Sequence, residues 1–141
     1  MPILASFLLL LLPQGPTLAQ LDAMRDEHRS LLNAIAFVES SNRNDAIGDN
    51  GKALGAFQLW RVYWTDALEF APCIGGEYKD VCNRVYAERC VVAYMARYAK
   101  VSTDQNMARI HNGGPKGAKS RGTVKYWKKV ELRLQSSGKG V

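Results

Sequence analysis

The sequence predicts an α+β fold that is mostly helical, formed by one domain that includes a small β-hairpin. Apolar residues recur at helical spacing in several separate segments. The strongest hairpin signal is Asn50-Gly51, because both residue types accept the positive φ angles of a two-residue type I′ turn. Several helices joined to one short hairpin are typical of an α+β domain.

The N-terminal segment has the features of a secretory signal peptide. Residues 3–12 form an almost unbroken apolar run that is too short to span a bilayer as a finished helix. The small-x-small cleavage pattern Thr17-Leu18-Ala19 follows. We therefore predict a signal peptide over residues 1–19 and a secreted catalytic domain over residues 20–141. An uncleaved membrane anchor is the alternative, and the short run argues against stable membrane insertion.

The remaining elements follow from apolar periodicity and from turn residues. A first helix is predicted from about Leu21 to Ser40, because Leu32, Ile35 and Ala36 fall on one face. The hairpin is placed between Ala46 and Leu54, with its tip at Asn50-Gly51. Further helices are predicted at about Ala56 to Phe70, Val85 to Ala99, Thr103 to His111 and Thr123 to Leu134.

Glu39 is the first candidate catalytic residue. It continues the apolar face of the first predicted helix and lies near the C-terminal end of that helix. Burial and the negative end of the helix dipole both disfavour an ionised carboxyl, and a carboxyl that keeps its proton near neutral pH can act as a general acid. The alternatives are a glutamate that points into solvent and one that pairs with Arg43.

Asp49 is the second candidate. It lies in the polar hairpin, ten positions after Glu39. If the hairpin folds back on the helix end, the two carboxyls face one cleft from different environments. This arrangement permits one acid and one ionised nucleophile or electrostatic stabiliser. The alternative is that Asp49 only supports the Asn50-Gly51 turn.

The three cysteines permit one disulfide bond in a secreted protein. Cys73–Cys82 and Cys82–Cys90 are both compatible with the spacing, and the sequence does not decide between them. No Cys/His spacing suggests a metal site, since His28 and His111 lie far apart. We therefore expect neither a metal nor a cofactor.

The net charge is +6, and the excess of basic residues lies toward the C-terminus. A basic secreted protein is attracted to polyanions, among them nucleic acid, acidic membranes and anionic bacterial walls. A solvated helix face explains the same side chains, so charge alone does not select a partner. The basic residues of this region are Lys116, Lys119, Arg121, Lys125, Lys128, Lys129, Arg133 and Lys139.

Four blocks of the sequence, in register between about Leu32 and Val130, resemble known families. The first, comprising Glu39-Ser40, residues 46–51 and residues 54–59, resembles the catalytic block of the lysozyme-like superfamily, which includes lytic transglycosylases. The other three resemble invertebrate-type lysozymes specifically. They are residues 63–67, residues 90–98, and residues 108–115 followed by Tyr126-Trp127.

This resemblance implies a lysozyme-like fold and hydrolysis of the β-1,4 bond between N-acetylmuramic acid and N-acetylglucosamine. The family's acid falls on Glu39 and its second carboxylate on Asp49. The implied substrate is bacterial peptidoglycan, with chitin-like oligosaccharides as a further option, and the implied protein is a monomer that does not act on nucleic acid. The substrate-binding motifs of the family fall on Gln58, Tyr63, His111, Asn112 and Gly113.

Several alternatives remain open at this stage. His111-Asn112 could merely cap a helix, and Trp60, Trp64 and Trp127 could stack on sugars or pack in the core. A lytic transglycosylase would use the acid without the second carboxylate. A non-catalytic wall-binding protein or a membrane-disrupting basic helix would need neither the acid nor the second carboxylate.

The chain also departs from the family pattern. Invertebrate-type lysozymes are usually cysteine-dense, so this chain must rely more on its apolar core. Some members are credited with isopeptidase activity through a serine and a lysine, at whose places this chain has Lys52 and Trp60. We therefore expect no isopeptidase activity.

Overall fold

The computed structural model describes residues 15–138, within which six α-helices surround a small two-stranded sheet. No helix in this range is long and apolar enough to cross a membrane. The predicted α+β, mostly helical fold is confirmed. The elements are α1 (Leu18–Glu27), α2 (Arg29–Ser40), β1 (Ile47–Gly48), β2 (Ala53–Leu54), α3 (Arg61–Phe70), α4 (Arg84–Tyr98), α5 (Asp104–Gly113) and α6 (Val124–Gly138).

The predicted signal peptide falls mainly on residues 1–14, which lie outside the described residues. Its expected cleavage position after Ala19 lies in the first turn of α1. Thr17 is the N-cap of this helix and forms a capping box with Gln20. Cleavage after Ala19 would therefore leave α1 without its capping residue.

The single helix predicted from Leu21 to Ser40 is wrong, because the structure has two helices that meet at His28. The φ and ψ angles of His28 are −103° and 24°, which are not helical. Helix α1 packs mainly on α4, whereas α2 packs mainly on α6. Because the two halves face different partners, one straight helix could not bury both apolar faces. Leu32, Ile35 and Ala36 nevertheless share the buried face of α2, as predicted.

The predicted hairpin is confirmed, but its turn differs from the prediction. Strands β1 and β2 pair antiparallel, with Ile47 opposite Leu54 and Gly48 opposite Ala53. Four residues connect them instead of two, and residues 49–51 form a 3₁₀ turn. Asp49, Asn50 and Gly51 have φ angles of 49°, 57° and 88°. Asn50 and Gly51 therefore adopt the left-handed φ angles that the sequence predicts, but the turn that contains them is longer than a type I′ turn.

The predicted start of the next helix at Ala56 is wrong, because α3 begins only at Arg61. The preceding residues form a tight turn in which Leu54 and Leu59 make an isolated antiparallel bridge. Gly55 has a φ of +80°, and a Cβ atom on it would lie 2.4 Å from the Val81 carbonyl oxygen. This close backbone approach fixes the chain as a turn where apolar periodicity alone predicts a helix.

Helix α4 lies at the centre of the core, and its buried residues include Ala87, Cys90, Val91, Val92 and Met95. The bounds of α4, α5 and α6 agree with the predicted helices to within a few residues.

The expected disulfide bond is absent, since all three cysteines are free in the structure. Cys73 and Cys82 are exposed, whereas Cys90 is buried in the core. Cys73 instead donates a hydrogen bond to the Pro16 carbonyl oxygen, at 3.0 Å.

A buried ion cluster connects α1, α2 and α4. We call Glu88, Arg25, Arg29 and Arg84 the Glu88 cluster. Glu88 is only 1% exposed and accepts hydrogen bonds from all three arginines at 2.7–2.9 Å. Burial alone would raise the pKa of Glu88, but the hydrogen bonds from Arg84, Arg29 and Arg25 outweigh it and hold the pKa below its usual value. The cluster therefore links three helices by a fully paired charge.

Candidate active site

A cleft of about 500 Å³ runs between the end of α2, the hairpin and the end of α5. Both candidate carboxyls line this cleft, so the structure places Glu39 and Asp49 at one site. The lining residues come from five separate parts of the chain. They are Glu39, Asp49, Gln58, Leu59, Trp60, Val62, Tyr63, Asp66, Tyr94, His111, Asn112, Gly114 and Pro115.

Glu39 lies in the last turn of α2, with its side chain 20% exposed. Its Oε1 atom accepts a hydrogen bond from the Tyr126 hydroxyl at 2.9 Å. The Nε2 atom of His111 lies 3.4 Å from the same oxygen. Arg43 does not pair with Glu39 and instead donates to the Ser40 carbonyl oxygen. Glu39 therefore neither points freely into solvent nor forms the arginine pair considered above.

The residues after Glu39 stop the helix and hold its end in place. The Ser40 hydroxyl donates to the Ala56 carbonyl oxygen at 2.8 Å, which ties the helix end to the turn after the hairpin. Ser41 and Asn42 then adopt left-handed φ angles of 56° and 64°. This turn sends the chain back toward β1, and it brings the hairpin to the helix end.

Asp49 projects from the hairpin turn and is exposed. Its Oδ2 atom accepts a hydrogen bond from the Trp60 indole N–H at 3.1 Å. The Lys52 ammonium lies 5.7 Å from the centre of the Trp60 ring. Trp60 is 43% exposed and so is not a core residue. The sequence suggested sugar stacking or core packing for Trp60 and missed this contact with the second carboxyl.

Tyr63 and His111 line the cleft but are themselves buried. The Tyr63 ring stacks on Tyr94 with centroids 3.7 Å apart, and its hydroxyl lies 2.9 Å from His111 Nδ1. Burial raises the pKa of the Tyr63 hydroxyl well above its usual value. Helix α5 continues to Gly113, so His111 is not its C-cap. Tyr63 therefore contacts His111, and His111 in turn approaches Glu39.

Gln58 and Asn112 also line the cleft, whereas Gly113 does not. The Gln58 amide nitrogen donates to the carbonyl oxygens of Ala46 and Gly55, so this side chain ties the hairpin to the following turn. Asn112 is exposed and free to face a ligand. Gly113 faces Thr123, because a Cβ atom on it would lie 2.4 Å from a Thr123 methyl carbon. Gly114 lines the cleft in its place.

Sequence reasoning missed two further polar residues of the site. Tyr126 is 87 residues from Glu39 in sequence, and only its place in a resembling block pointed to it. Asp66 lines the cleft and accepts a hydrogen bond from the Tyr98 hydroxyl at 2.6 Å, and it is paired with Arg97. Within residues 15–138, no group of three or more His, Cys, Asp or Glu side chains is arranged to hold a metal ion.

A helical domain in which a hairpin carboxyl and a helix-end carboxyl share one cleft defines a lysozyme-like protein. Comparison with known proteins gives the family. The sequence model of the Destabilase family matches residues 28–132, which is more than half of the chain. The chain therefore belongs to the destabilase family of invertebrate-type lysozymes.

Individual relatives agree with this assignment. The chain is 36% identical to a lysozyme from Meretrix lusoria over 71% of this chain and 84% of that protein. It is 41% identical to Lysozyme 1 of Crassostrea virginica over 60% of this chain, and this match spans only 46% of the oyster protein.

Solved structures give the same answer for the fold. The crystal structure of Tapes japonica lysozyme has a TM-score of 0.65 at 30% identity, covering 73% of this chain and 87% of that one. The structure of Meretrix lusoria lysozyme in complex with Aeromonas hydrophila PliI has a TM-score of 0.66 at 34% identity. This match covers 74% of this chain and 88% of that one. The predicted lysozyme-like fold is confirmed.

Proposed function

We propose that this protein is a secreted lysozyme that hydrolyses the β-1,4 bond between N-acetylmuramic acid and N-acetylglucosamine in bacterial peptidoglycan. One observation supports this proposal above the others. Glu39 and Asp49, which come from different elements, line the same cleft in a chain of the invertebrate-type lysozyme family. Antibacterial defence and digestion both fit such an activity.

In this proposal the two carboxyls have different roles because their surroundings differ. Glu39 is mostly buried and protonates the leaving glycosidic oxygen as a general acid. Asp49 is exposed and accepts the Trp60 N–H, which suits an ionised carboxylate. It attacks the anomeric carbon or stabilises its developing positive charge, and water then releases the sugar.

The rest of the cleft suits a sugar chain. Asn112 and the exposed part of Trp60 offer an amide and an aromatic face, which are the groups that bind sugar hydroxyls and sugar rings. The roles proposed for Gln58, Tyr63, His111 and Gly113 as direct substrate ligands have less support. Gln58 is occupied by backbone carbonyls, and Tyr63 and His111 are buried.

Lysis of a Gram-positive wall suspension by the wild type and by Glu39→Gln tests the acid. Glutamine keeps the shape and cannot donate the proton, so the rate should fall by at least about a hundredfold. Glu69→Gln is the matched control, because Glu69 is exposed and outside the cleft. A Glu39→Gln protein that lyses walls at the wild-type rate would refute the assignment.

The lytic transglycosylase alternative is separated by its product and by Asp49. Hydrolysis gives a reducing sugar end, whereas transglycosylation gives a 1,6-anhydro end that is lighter by one water in mass spectrometry. Asp49→Asn should abolish hydrolysis, but it should leave a transglycosylase active. Anhydro products together with an active Asp49→Asn protein would replace the hydrolase proposal, and wall binding without turnover would indicate a non-catalytic protein.

Secretion and removal of residues 1–19 belong to the same proposal. The supporting observation is the apolar run followed by Thr17-Leu18-Ala19. Mass spectrometry of the protein recovered from the medium of expressing cells should give an N-terminus at Gln20. A secreted protein that retains Thr17, the N-cap of α1, would show that cleavage occurs elsewhere.

A further inference from the structure

Both polar neighbours of Glu39 approach the same carboxyl oxygen. The Tyr126 hydroxyl donates to Oε1 at 2.9 Å, and His111 Nε2 lies 3.4 Å from Oε1. In the part of the chain that the structure describes, no group forms a hydrogen bond with Oε2. The two oxygens of this carboxyl therefore have different surroundings, and only Oε2 has no hydrogen-bond partner among the described residues.

The direction of the Tyr126 contact follows from its surroundings. The Tyr126 hydroxyl is a donor to Oε1, and burial together with the nearby Glu39 raises the pKa of this hydroxyl well above its usual value. Tyr126 therefore stays protonated and keeps donating. An oxygen that accepts such a bond is a poor place for the carboxyl's own proton.

The tautomer of His111 sets the direction of its hydrogen bond with Tyr63. The Tyr63 hydroxyl is buried, stays protonated, and lies 2.9 Å from His111 Nδ1. When Tyr63 donates to Nδ1, the ring proton of a neutral histidine must lie on Nε2. That N–H then faces Oε1 of Glu39. The distance of 3.4 Å exceeds that of a strong hydrogen bond, but the charge of a carboxylate still attracts this N–H.

We propose that Tyr126 and His111 are positioning residues which confine the transferable proton of Glu39 to Oε2. This inference rests on the proposed function. The proton moves from Oε2 to the glycosidic oxygen, the bond between the anomeric carbon and that oxygen breaks, and its electron pair stays on the leaving oxygen. Glu39 is left as a carboxylate whose Oε1 already faces two donors.

The same two donors also favour the transition state over the ground state. While Glu39 is neutral, Oε1 is the uncharged carbonyl oxygen of a carboxylic acid. As the proton leaves, negative charge develops on the carboxyl, and hydrogen bonds to an ionised acceptor are about twice as strong. The donors are held in place by packing, so no reorganisation is needed at the moment of reaction.

Tyr126→Phe tests this role, because it removes the hydroxyl and keeps the ring. The loss of one hydrogen bond to a charged group should lower kcat by roughly 10- to 100-fold. KM should stay within about twofold, because Tyr126 is not among the residues that line the cleft. Tyr86→Phe is the matched control. It removes a half-buried hydroxyl that is hydrogen-bonded to Gly75 and Trp64. None of these residues lines the cleft, so kcat should not change.

Tyr63→Phe tests the histidine orientation without touching Glu39. It frees Nδ1 of His111, so the ring proton can move between the two nitrogens, and kcat should fall less than in Tyr126→Phe. Among the described residues, the titratable groups near Glu39 are Tyr126, His111 and Tyr63, with Asp49, Asp66 and Tyr94 in the same cleft. In both variants we expect the pH–rate profile to differ from that of the wild type.

A spectroscopic readout separates positioning from simple loss of structure. In protein labelled with ¹³C at the glutamate carboxyls, the Glu39 signal is the one that is missing from Glu39→Gln. Its chemical shift should change in Tyr126→Phe and stay constant in Tyr86→Phe.

The outcomes distinguish this inference from the proposed function. If the wild type lyses walls, Glu39→Gln does not, and Tyr126→Phe matches the wild type in kcat, pH profile and Glu39 signal, the positioning role is refuted while the lysozyme assignment stands. If the wild type is inactive on walls, or Glu39→Gln is active, the proposed function itself fails. An equal loss of kcat in Tyr126→Phe and Tyr86→Phe also refutes positioning, because it indicates a general structural effect.

Discussion

The Glu88 cluster is expected to be a main source of stability in a protein whose cysteines are free. Glu88 is 1% exposed and accepts four hydrogen bonds of 2.7–2.9 Å from three guanidinium groups. Glu88→Gln keeps the size of the side chain but removes its charge. It also turns an NH₂ group toward N–H donors, so Arg29 and Arg84 lose their nearest carboxylate and Arg25 keeps only Asp22.

The size of the effect follows from this geometry. Removing one partner of a fully buried ion pair costs about 3–5 kcal/mol. The three arginines here are 14–39% exposed and water can solvate them, so we expect a loss at the lower end of this range, about 3 kcal/mol. For a domain of this size, such a loss corresponds to a decrease in Tm of roughly 10–20 °C. Glu69→Gln is the control. Glu69 is 68% exposed and lies 3.5 Å from Arg97, so its removal should cost less than about 1 kcal/mol.

Thermal and denaturant unfolding followed by circular dichroism measure both variants near neutral pH. The reasoning requires Glu88→Gln to lose several times more unfolding free energy than Glu69→Gln, with a similar dependence on denaturant. If the two variants unfold within about 1 kcal/mol of each other, the cluster does not hold the three helices together.

Three further predictions concern Asp49, the thiols and acid stability. Trp60→Phe removes the indole N–H that donates to Asp49. The loss of this partly exposed hydrogen bond should lower kcat in wall lysis about 3- to 10-fold. An unchanged kcat would contradict a role for the contact. All three cysteines are free, so a reductant should leave Tm unchanged. Burial raises the pKa of Cys90 to about 12. Alkylation should therefore modify the exposed Cys73 and Cys82 in the native protein, and Cys90 only in denaturant. The hydrogen bond from Arg89 lowers the pKa of Asp22 to about 2, so its contribution to stability is complete above about pH 4 and is lost as the pH falls through 2. The difference in Tm between the wild type and Asp22→Asn should accordingly shrink between pH 4 and pH 2, and a constant difference would refute this linkage.

The sequence predicted the features that local chemistry controls. Helical periodicity located α4, α5 and α6, and Asn50-Gly51 located the hairpin. The position of Glu39 at the end of an apolar face made it a candidate, and the resemblance to the lysozyme-like catalytic block selected it as the acid. The structure places it in the cleft.

The errors arose where tertiary contacts override local pattern. The break at His28 depends on which helices α1 and α2 pack against, and the delayed start of α3 depends on the approach of Gly55 to Val81. Tyr126 could not be selected as a partner of Glu39, because their contact joins residues that are distant in sequence. The contact of His111 with both Tyr63 and Glu39 could not be predicted for the same reason.

The left-handed φ of Asp49 has a consequence for the relation between stability and activity. A residue with a Cβ atom at φ +49° is strained by about 1 kcal/mol relative to glycine, although aspartate tolerates this region better than most residues. Asp49→Gly should therefore give a protein that is inactive yet at least as stable as the wild type. Under the proposed function, the carboxyl in this turn is kept for the reaction at a small cost in stability.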